Sequence, residues 1–217
     1  MAQFKSLGDR AIVVNFGDYI DEPTFDRVRE LAQRLEQSAV VGMIEYVPAY
    51  TSVTIYYDPL LVALPEFCSV IERMLADGGS TPPAPTRTVE IPVCYGGESG
   101  PDLDFVAQHT GLSTEQVVAL HCAAVYRVHM LGFAPGFPYL GGMSPRIAAP
   151  RRSTPRLKVP AGSVGIAGSQ TGIYSLETPG GWQIIGRTPL ALFRPNENPP
   201  TLLSPGDMVR FKSVTNV

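Results

Sequence analysis

One stretch of the sequence, residues 128–186, constrains the fold more than any other. Glycine and proline are dense in it, yet apolar, strand-like pieces such as VHMLGF, SVGIAG and WQIIG lie between them. It also carries the aromatic residues Phe133, Phe137, Tyr139, Tyr174 and Trp182, the last being the only tryptophan of the chain. A disordered segment would have the glycine and proline without so many aromatic and β-branched residues. The pattern therefore predicts short strands joined by glycine-rich loops that line an apolar cleft.

The same stretch has a one-sided charge pattern. No acidic residue occurs from 116 to 176, whereas the basic residues there are Arg127, Arg146, Arg151, Arg152, Arg156 and Lys158. Such a block is either a solvated face or the rim of an anion site, and both interpretations stay open. Arg151 and Arg156 each follow a proline, which restricts how the backbone presents them, and a guanidinium binds carboxylate or phosphate through two parallel hydrogen bonds. Backbone N–H groups of nearby glycine loops would add to an anion site, so a small anionic substrate is one hypothesis.

Composition excludes several classes of protein. The 217 residues are 44% hydrophobic and 17% charged, which predicts a folded protein with one large or two small domains. The net charge of −3 argues against binding nucleic acid through overall charge. The sequence has neither an apolar N-terminal region nor a run of about 18 apolar residues, so we expect a cytoplasmic protein without membrane contact. Three widely spaced cysteines and no metal-type histidine spacing predict neither disulfides nor a metal site.

The first 80 residues predict a small α+β domain. Ala11–Phe16 is a β-branched run after a Gly-Asp turn signal, and Met43–Tyr46 and Thr51–Tyr57 are two more strands. Residues 21–37 and a segment that begins at Pro65 repeat apolar residues at helical spacing. Strand, helix, two strands and helix in this order indicate a ferredoxin-like sandwich, with the helices on one face of an antiparallel sheet.

A boundary follows this domain. Residues 77–86 read DGGSTPPAPT, a composition typical of a semi-rigid linker. We place the linker itself at 81–87, between a domain over 1–80 and a second domain over 88–217.

The second domain is predicted to be mostly β. Thr88–Tyr95 is a strand, and the proline within it, Pro92, predicts an edge position. Two short helices follow, at Asp102–Gln108 and Ser113–Cys122, and the second begins with a capping box of Ser113 and Gln116. Beyond residue 126, many short strands with turn residues between them indicate a barrel.

The sequence gives little support for the common catalytic motifs. The chain lacks the phosphate-binding sequence G-x-x-x-x-G-K-[ST]. Ser163 resembles the serine of a hydrolase nucleophile elbow, but no helix follows it, so a polar contact to a ligand is favoured. Cys122 and His121 point in different directions on a helix, which argues against a thiol dyad. His129 is either a hydrogen-bonded core residue or a proton carrier. Trp182 is either core or a residue that a ligand or a partner backbone can approach because Gly180 and Gly181 precede it.

Three segments together resemble the signature of one family. They are GFAPGFPYLGGM at 132–143, the proline- and arginine-containing run at 150–164, and residues 174–189 with TPGGW and IGRTP. They resemble the family of the 5-oxoprolinase B subunit, also called allophanate hydrolase subunit 1 or the Kip-type histidine-kinase inhibitor. The resemblance covers nearly the whole chain. Ser175 departs from it, because the family usually has proline there, and we expect a local change in the loop. The resemblance implies a small α+β domain followed by a cyclophilin-like β-barrel.

The resemblance also implies a function. Family members belong to a bacterial enzyme that opens 5-oxo-L-proline to L-glutamate with ATP hydrolysis, together with a homologous C subunit and a separate A subunit. The B subunit resembles half of the carboxyltransferase domain of urea carboxylase, so we expect a site shared with or next to the C subunit, and an ATP site not wholly in this chain. The alternatives are an inhibitor that binds a sensor histidine kinase through an apolar patch, and a component of an enzyme that processes urea or allophanate.

This comparison and the residue types together define the candidate site. The candidate catalytic residues are Arg151 and Arg156, as anion clamps, and His129. The candidate substrate-binding residues are Phe133, Phe137, Tyr139, Gly162, Ser163, Gly165, Tyr174, Gly180, Gly181 and Trp182. The central expectation is that the guanidinium groups and the aromatic rings surround one cavity of the second domain.

Overall fold

The computed structural model describes residues 2–76 and 87–215. The chain divides into two compact units, Met1–Pro85 and Thr86–Val217. The stretch at 77–86 lies outside the described residues, and with it nearly all of the linker predicted at 81–87. The domain limits at 80 and 88 therefore stay predictions.

The first unit contains an antiparallel sheet and two helices. Its elements are β1 (Gln3–Ser6), β2 (Ala11–Asn15), α1 (Glu22–Gln37), β3 (Met43–Pro48), β4 (Ser52–Tyr57) and α2 (Leu64–Ala76). The strands lie in the order β1-β2-β4-β3, and every neighbouring pair is antiparallel. The predicted order of strand, helix, two strands and helix is present, and β1 adds an edge strand before it.

The helices of this unit cover one face of the sheet because their apolar residues recur at helical spacing. Val28 and Leu31 of α1 and Phe67 of α2 are buried in one cluster with Ile12 and Ile55 of the sheet. Buried and half-buried residues alternate along β4, as expected for a strand with one face in the core. The predicted α+β domain is confirmed.

The second unit is built mainly from strands. Its elements are β5 (Thr88–Tyr95), α3 (Leu103–Thr110), α4 (Thr114–Ala123), β6 (Tyr126–Leu131), β7 (Pro138–Gly141), a 3₁₀ helix (Pro145–Ile147), β8 (Arg156–Val159), β9 (Ser163–Ala167), β10 (Gln170–Ile173), β11 (Thr178–Gly180), β12 (Gln183–Arg187) and β13 (Met208–Ser213). Seven of the described strands form a closed barrel in the order β10-β7-β6-β13-β5-β12-β9, and β9 pairs with β10 to complete it. Strands β8 and β11 form a separate two-stranded sheet. The predicted barrel is confirmed.

The prediction of an edge position for β5 is wrong. This strand pairs in parallel with β13 along residues Thr88 to Val93, and antiparallel with β12 on its other side. The pairing with β12 involves only Cys94 and Tyr95, so Pro92 lies before the stretch that needs backbone donors on that side. A proline is therefore compatible with this interior strand. Because β12 does not pair with β5 at Pro92, no hydrogen bond to β12 requires the N–H that proline lacks.

The two helices between β5 and β6 pack on the barrel core. Val106 of α3 and Val117 of α4 are fully buried in the cluster that also holds Ile91, Val128 and Ile166 of the barrel. The predicted capping box at the start of α4 is present, since the Ser113 hydroxyl accepts from the Gln116 N–H and the Gln116 side chain accepts from the Ser113 N–H. None of the α-helices within 2–76 and 87–215 has the length and hydropathy needed to cross a bilayer.

Candidate functional site

An aromatic cavity of about 200 Å³ lies in the second unit. Its lining residues are Phe133, Phe137, Tyr139, Arg151, Arg152, Pro155, Tyr174, Gly180, Gly181 and Trp182. Eight of the predicted site residues are among them, and they come from segments spread over some 50 positions of the sequence. Arg151 and the predicted aromatic residues thus line one cavity, whereas Arg156, the other predicted arginine, is not among the lining residues.

The aromatic side chains of this cavity support one another through edge-to-face contacts. Phe137 is at the centre, with ring centroids 5.0 Å from Tyr139, 5.3 Å from Tyr174 and 5.5 Å from Trp182. Its neighbours reach it because β7 and β10 are paired, with Tyr139 opposite Gly172, while Trp182 directly precedes β12. Such contacts add specific geometry to simple burial. Phe137, Tyr174 and Trp182 are buried, so the wall of the cavity is preformed.

Phe133 stands apart from the other rings in exposure and backbone conformation. Its side chain is 61% exposed, and its φ of 69° is the only positive value for a non-glycine residue within 2–76 and 87–215. The left-handed region is unfavourable for a bulky side chain, and such strain concentrates at functional sites. The ring contacts Phe137 and Tyr174 at centroid distances of 5.4 and 6.1 Å. Phe133 is thus held at the mouth of the aromatic cavity.

The position of the Tyr174 ring depends on Gly180, which has no side chain. A Cβ atom on Gly180 would lie 2.2 Å from the Tyr174 hydroxyl oxygen, whereas a Cβ on Gly181 would lie 3.6 Å from its nearest neighbour, Pro155. Only Gly180 is therefore required for the ring position. Burial raises the pKa of Tyr174, and a hydrogen bond from the Trp182 backbone opposes this rise. The phenol stays protonated at neutral pH and remains a hydrogen-bond donor.

Arg151 supplies the positive charge of the aromatic cavity. Burial raises the pKa of Tyr139, and the Arg151 guanidinium acts against this rise, as it does for the pKa of Tyr174. Within the described ranges, Arg151 makes neither a hydrogen bond nor an ion pair with another residue. Its side chain is exposed. The cavity thus combines apolar walls, two protonated phenols and a guanidinium whose donors are available to a ligand.

Arg156 and Arg152 are bound to an internal carboxylate, Asp102. One oxygen of this buried side chain lies 2.7 Å from Arg156 Nη2 and 3.0 Å from Arg152 Nη1, and the other accepts the Ile184 N–H at 2.7 Å. Arg156 does not line the aromatic cavity. The role of an anion clamp predicted for Arg156 therefore needs correction, because its Nη2 is paired with Asp102 and its Nη1 is buried. Arg152 does line the cavity, in a position fixed by the same carboxylate.

Other predicted site residues do not line the aromatic cavity. His129 is buried in β6, and Ser163 and Gly165 are buried in β9. Ser163 is followed by strand rather than helix, so the geometry of a nucleophile elbow is absent there. Gly162 has a φ of 82° and lines a second cavity described below. Neither His129 nor residues 162–165 line the aromatic cavity, although Gly165 packs behind its wall, where a Cβ atom would lie 3.1 Å from the Trp182 Cβ.

The structure adds residues that the sequence did not single out. Arg152 and Pro155 line the aromatic cavity, and Asp102 binds two arginines of the basic block. Arg152 belongs to that block and Pro155 precedes Arg156, so position next to predicted residues could have found both. Asp102 is separated from its partners by 50 and 54 residues, and no pattern in the sequence links them.

A chain of hydrogen bonds is found where a thiol dyad was considered. The Cys122 sulfur lies 3.5 Å from the Tyr95 hydroxyl, which lies 2.7 Å from His121 Nδ1. On the other side of the ring, His121 Nε2 lies 3.0 Å from the Thr171 hydroxyl. Complete burial lowers the pKa of His121 to about 3, so the imidazole is neutral. The thiol therefore contacts a phenol and not a charged imidazole.

Within the described residues, no group of three or more histidine, cysteine or acidic side chains is arranged to hold a metal ion.

Comparison with known proteins agrees with this architecture. A model of the carboxyltransferase domain, subdomain C and D, matches residues 2–203. The 5-oxoprolinase B subunit of Bacillus subtilis is 53% identical over 98% of this chain and 93% of its own length. That of Escherichia coli O157:H7 is 46% identical over 94% of this chain and 93% of its own length.

A solved structure matches the whole fold. The crystal structure of TTHA0988 superposes with a TM-score of 0.85 at 39% identity. The match covers 96% of this chain, which spans 40% of that longer protein. Identity above 40% over almost the full length of both relatives, together with a family match over residues 2–203, decides the classification. The chain therefore belongs to the family of the carboxyltransferase domain, subdomains C and D, and within it to the group of 5-oxoprolinase B subunits.

Proposed function

We propose that the chain is the B subunit of an ATP-dependent complex, with a homologous C subunit and a separate A subunit, that hydrolyses 5-oxo-L-proline to L-glutamate. In this complex the aromatic cavity binds the lactam. The main observation behind the proposal is the position of Arg151 on the rim of a small apolar cavity. Its guanidinium has no internal partner among the described residues. The names of the relatives from Bacillus subtilis and Escherichia coli support the reaction.

The dimensions of the aromatic cavity suit a small substrate. A volume of about 200 Å³ is below the usual range for drug-sized ligands and accommodates one small ring. 5-Oxoproline is a five-membered ring with one carboxylate and one amide carbonyl. The carboxylate would accept two parallel hydrogen bonds from Arg151, and the ring would pack against Phe137 and Trp182.

Tyr139 and Tyr174 would donate hydrogen bonds to the amide carbonyl oxygen of the lactam. A lactam is a poor electrophile, and donors aimed at its oxygen stabilise the charge that develops there. Tyr139 and Tyr174 have raised pKa values, so both keep the proton that such a hydrogen bond requires. The residues of this chain would thus bind the substrate, orient it and polarise it.

ATP does not fit the aromatic cavity. Arg151 is the one arginine of its lining without a carboxylate partner among the described residues, and the volume is too small for a nucleoside triphosphate. ATP would supply the phosphoryl group that activates the lactam oxygen, and a different site of the complex would hold it. The reaction by this chain alone is therefore not expected.

Exposed apolar residues support a partner chain next to this site. Phe133 is 61% exposed and Leu157 of β8 is 87% exposed, although both are large and apolar. Contact with the C subunit would cover such residues. The same surface would serve a histidine kinase in the alternative function, so binding to each partner must be compared directly.

A urea-derived substrate is the second enzymatic alternative. Urea is neutral and would leave Arg151 without a counter-charge, whereas allophanate carries a carboxylate and would pair with it. Neither has the ring that the edge-to-face wall of Phe137, Tyr139 and Trp182 suits. The cavity therefore favours a cyclic, monoanionic substrate.

The test is reconstitution with the purified A and C subunits. The mixture with ATP and 5-oxoproline should release glutamate, while each protein by itself should not. Arg151→Gln should lower kcat/KM by roughly ten- to a hundredfold, because it removes a charge-assisted hydrogen-bond pair. Arg210→Gln is the matched control, since Arg210 is exposed on β13, away from the cavity.

Two outcomes would contradict the proposal in different ways. If the complete mixture releases no glutamate, while this chain alone blocks kinase autophosphorylation, the enzymatic function is wrong. If glutamate forms at the full rate with Arg151→Gln, the function stands and the site is wrong. Measuring urea and allophanate turnover in the same mixture decides between the substrates.

A further inference from the structure

A second cavity of the barrel unit has its own lining. It has a volume of about 600 Å³ and lies entirely within the second unit. Its lining residues are Ser99, Ala161, Gly162, Ser175, Arg187, Thr188, Pro189, Leu190, Ala191 and Phe193, and we call it the serine–arginine cavity. It shares no lining residue with the aromatic cavity, and of the substrate-binding residues predicted from the sequence it contains Gly162 alone.

The charge on the lining of the serine–arginine cavity is positive and comes from Arg187. Arg187 is exposed and is the only charged residue of the lining. Its Nε donates to the Ala161 carbonyl at 3.1 Å, which fixes the side chain along the wall. Within the described residues, its other guanidinium nitrogens have no hydrogen-bond or ion-pair partner. The arginine is therefore positioned by the backbone and keeps donors for an anion.

Ser175 provides a second, independent feature. The residue is 6% exposed, and its hydroxyl oxygen has no hydrogen-bond partner in the described structure. A buried hydroxyl without a partner is costly, and such groups call for an explanation such as a ligand. Rotation about the Cα–Cβ bond moves the oxygen between three staggered positions, so it can turn towards a bound molecule.

Part of the wall of the serine–arginine cavity is apolar. Pro189, Leu190, Ala191 and Phe193 lie in the segment that follows β12. The volume lies within the range typical of pockets for small organic ligands, which combine apolar walls with a few polar groups. An inorganic ion alone would leave this wall without contacts.

We infer that the serine–arginine cavity binds a small molecule that carries one phosphate or carboxylate group on an apolar body. Arg187 pairs with the anionic group, the Ser175 hydroxyl donates to the same group, and Leu190 and Phe193 contact the body. This site is separate from the lactam site and does not depend on the proposed reaction. It would act as a second ligand site on the barrel.

The test uses four probes and the full chain. Phenyl phosphate and benzoate each combine a ring with an anionic group, whereas inorganic phosphate lacks the ring and phenol lacks the charge. In two-dimensional ¹H–¹⁵N NMR titrations, phenyl phosphate or benzoate should shift the amides of Gly162, Ser175, Thr188 and Leu190. The tighter of these two probes identifies the anionic group, and inorganic phosphate and phenol should bind more weakly than that probe.

Variants separate a ligand contact from a structural role. Arg187→Gln and Ser175→Ala should each weaken binding of the tighter probe by about tenfold or more. Ser175→Ala should leave Tm unchanged or higher, because it removes a hydroxyl that has no partner within the described part of the free protein. Arg210→Gln, a matched exposed arginine on β13, should leave binding unchanged.

Three results of these measurements would contradict a ligand site in the serine–arginine cavity. It is overturned if phenol binds as tightly as both anionic probes, or if the shifted amides lie at the aromatic cavity instead. It is also overturned if Ser175→Ala lowers Tm and leaves binding intact, since the hydroxyl would then be structural. Glutamate release by the assembled complex is a separate measurement, so the failure of this site and that of the proposed function are distinguishable.

Discussion

Tyr174 and Ser175 are consecutive residues, yet their side chains line two different cavities of the barrel. Both follow β10, where the chain leaves the barrel wall and bends at Ser175, so that consecutive residues reach different cavities. The aromatic cavity has a guanidinium from Arg151, and the serine–arginine cavity has one from Arg187. Single substitutions can therefore test each cavity without touching the lining of the other.

Gly180→Ala should disturb the aromatic cavity, because the added Cβ would lie 2.2 Å from the Tyr174 hydroxyl oxygen. The ring must move or the strand must shift, at a cost of about 1–3 kcal/mol in the free energy of unfolding. Gly181→Ala is the matched control, with its nearest contact at an ordinary 3.6 Å. Urea denaturation and glutamate release by the complex measure the two effects. Equal stability and activity of both variants would show that Tyr174 does not need this space.

Replacing Phe133 should separate backbone strain from the contribution of the ring. Both Phe133→Gly and Phe133→Ala remove the ring at the mouth of the aromatic cavity, so both should raise KM for the lactam. Only glycine adopts the φ of 69° without strain, so the glycine variant should be more stable than the alanine variant by about 1 kcal/mol. Urea denaturation provides the comparison. A glycine variant less stable than the alanine variant would mean that the backbone at this position is not strained.

Asp102→Ala should destabilise the second unit strongly. The substitution leaves Arg152, Arg156 and the Ile184 N–H without their shared acceptor. Breaking such a buried pair lowers the free energy of unfolding by about 3 kcal/mol or more. Asp104→Ala, an exposed acid in the first turn of α3, should cost less than about 1 kcal/mol. Thermal unfolding of the two variants in parallel would refute the assignment if the losses were equal.

His121 should make stability depend on pH. Its folded pKa of about 3 lies below the ordinary value of 6.5, so below that value the unfolded state binds a proton that the folded state does not. The contribution of His121 is complete above pH 6.5 and is lost as pH falls towards 3, by about 1.4 kcal/mol per pH unit.

The variant His121→Gln should remove this slope from the free energy of unfolding measured between about pH 6 and pH 4. His109→Gln, which replaces an exposed histidine of α3, should retain it. Carboxylates titrate in the same window in all three proteins, so only the difference between them reports on His121. Parallel curves for wild type and His121→Gln would contradict burial of a neutral imidazole.

Local features of the structure followed from the sequence because local interactions determine them. The helix α1, the capping box of Ser113 and Gln116 and the strand at Thr88–Tyr95 all agree with the predictions. The aromatic cavity was also predictable in outline, since glycine, proline and aromatic residues are dense in one stretch. The barrel then brings Phe137, Tyr174 and Trp182 together through strand pairing.

Long-range relationships did not follow from the sequence. The partner of Arg156 lies 54 residues earlier, and a charge pattern gives no information on such a pair. Pro92 predicted an edge strand, but the register of β12 along β5 decides whether a proline is tolerated, and register is a property of the assembled barrel. Gly162 and Ser163 follow the basic block closely in sequence, yet neither lines the aromatic cavity, and Gly162 lines the serine–arginine cavity instead.

The position of β13 between β5 and β6 has a consequence for synthesis. In the chain, β13 follows all the other strands of the barrel, and in space it joins the first two of them. During translation the barrel wall therefore keeps a gap, with the unpaired backbone of β5 and β6 open to other chains, until Met208–Ser213 has left the ribosome. A nascent chain of this protein depends on its last strand to protect the first.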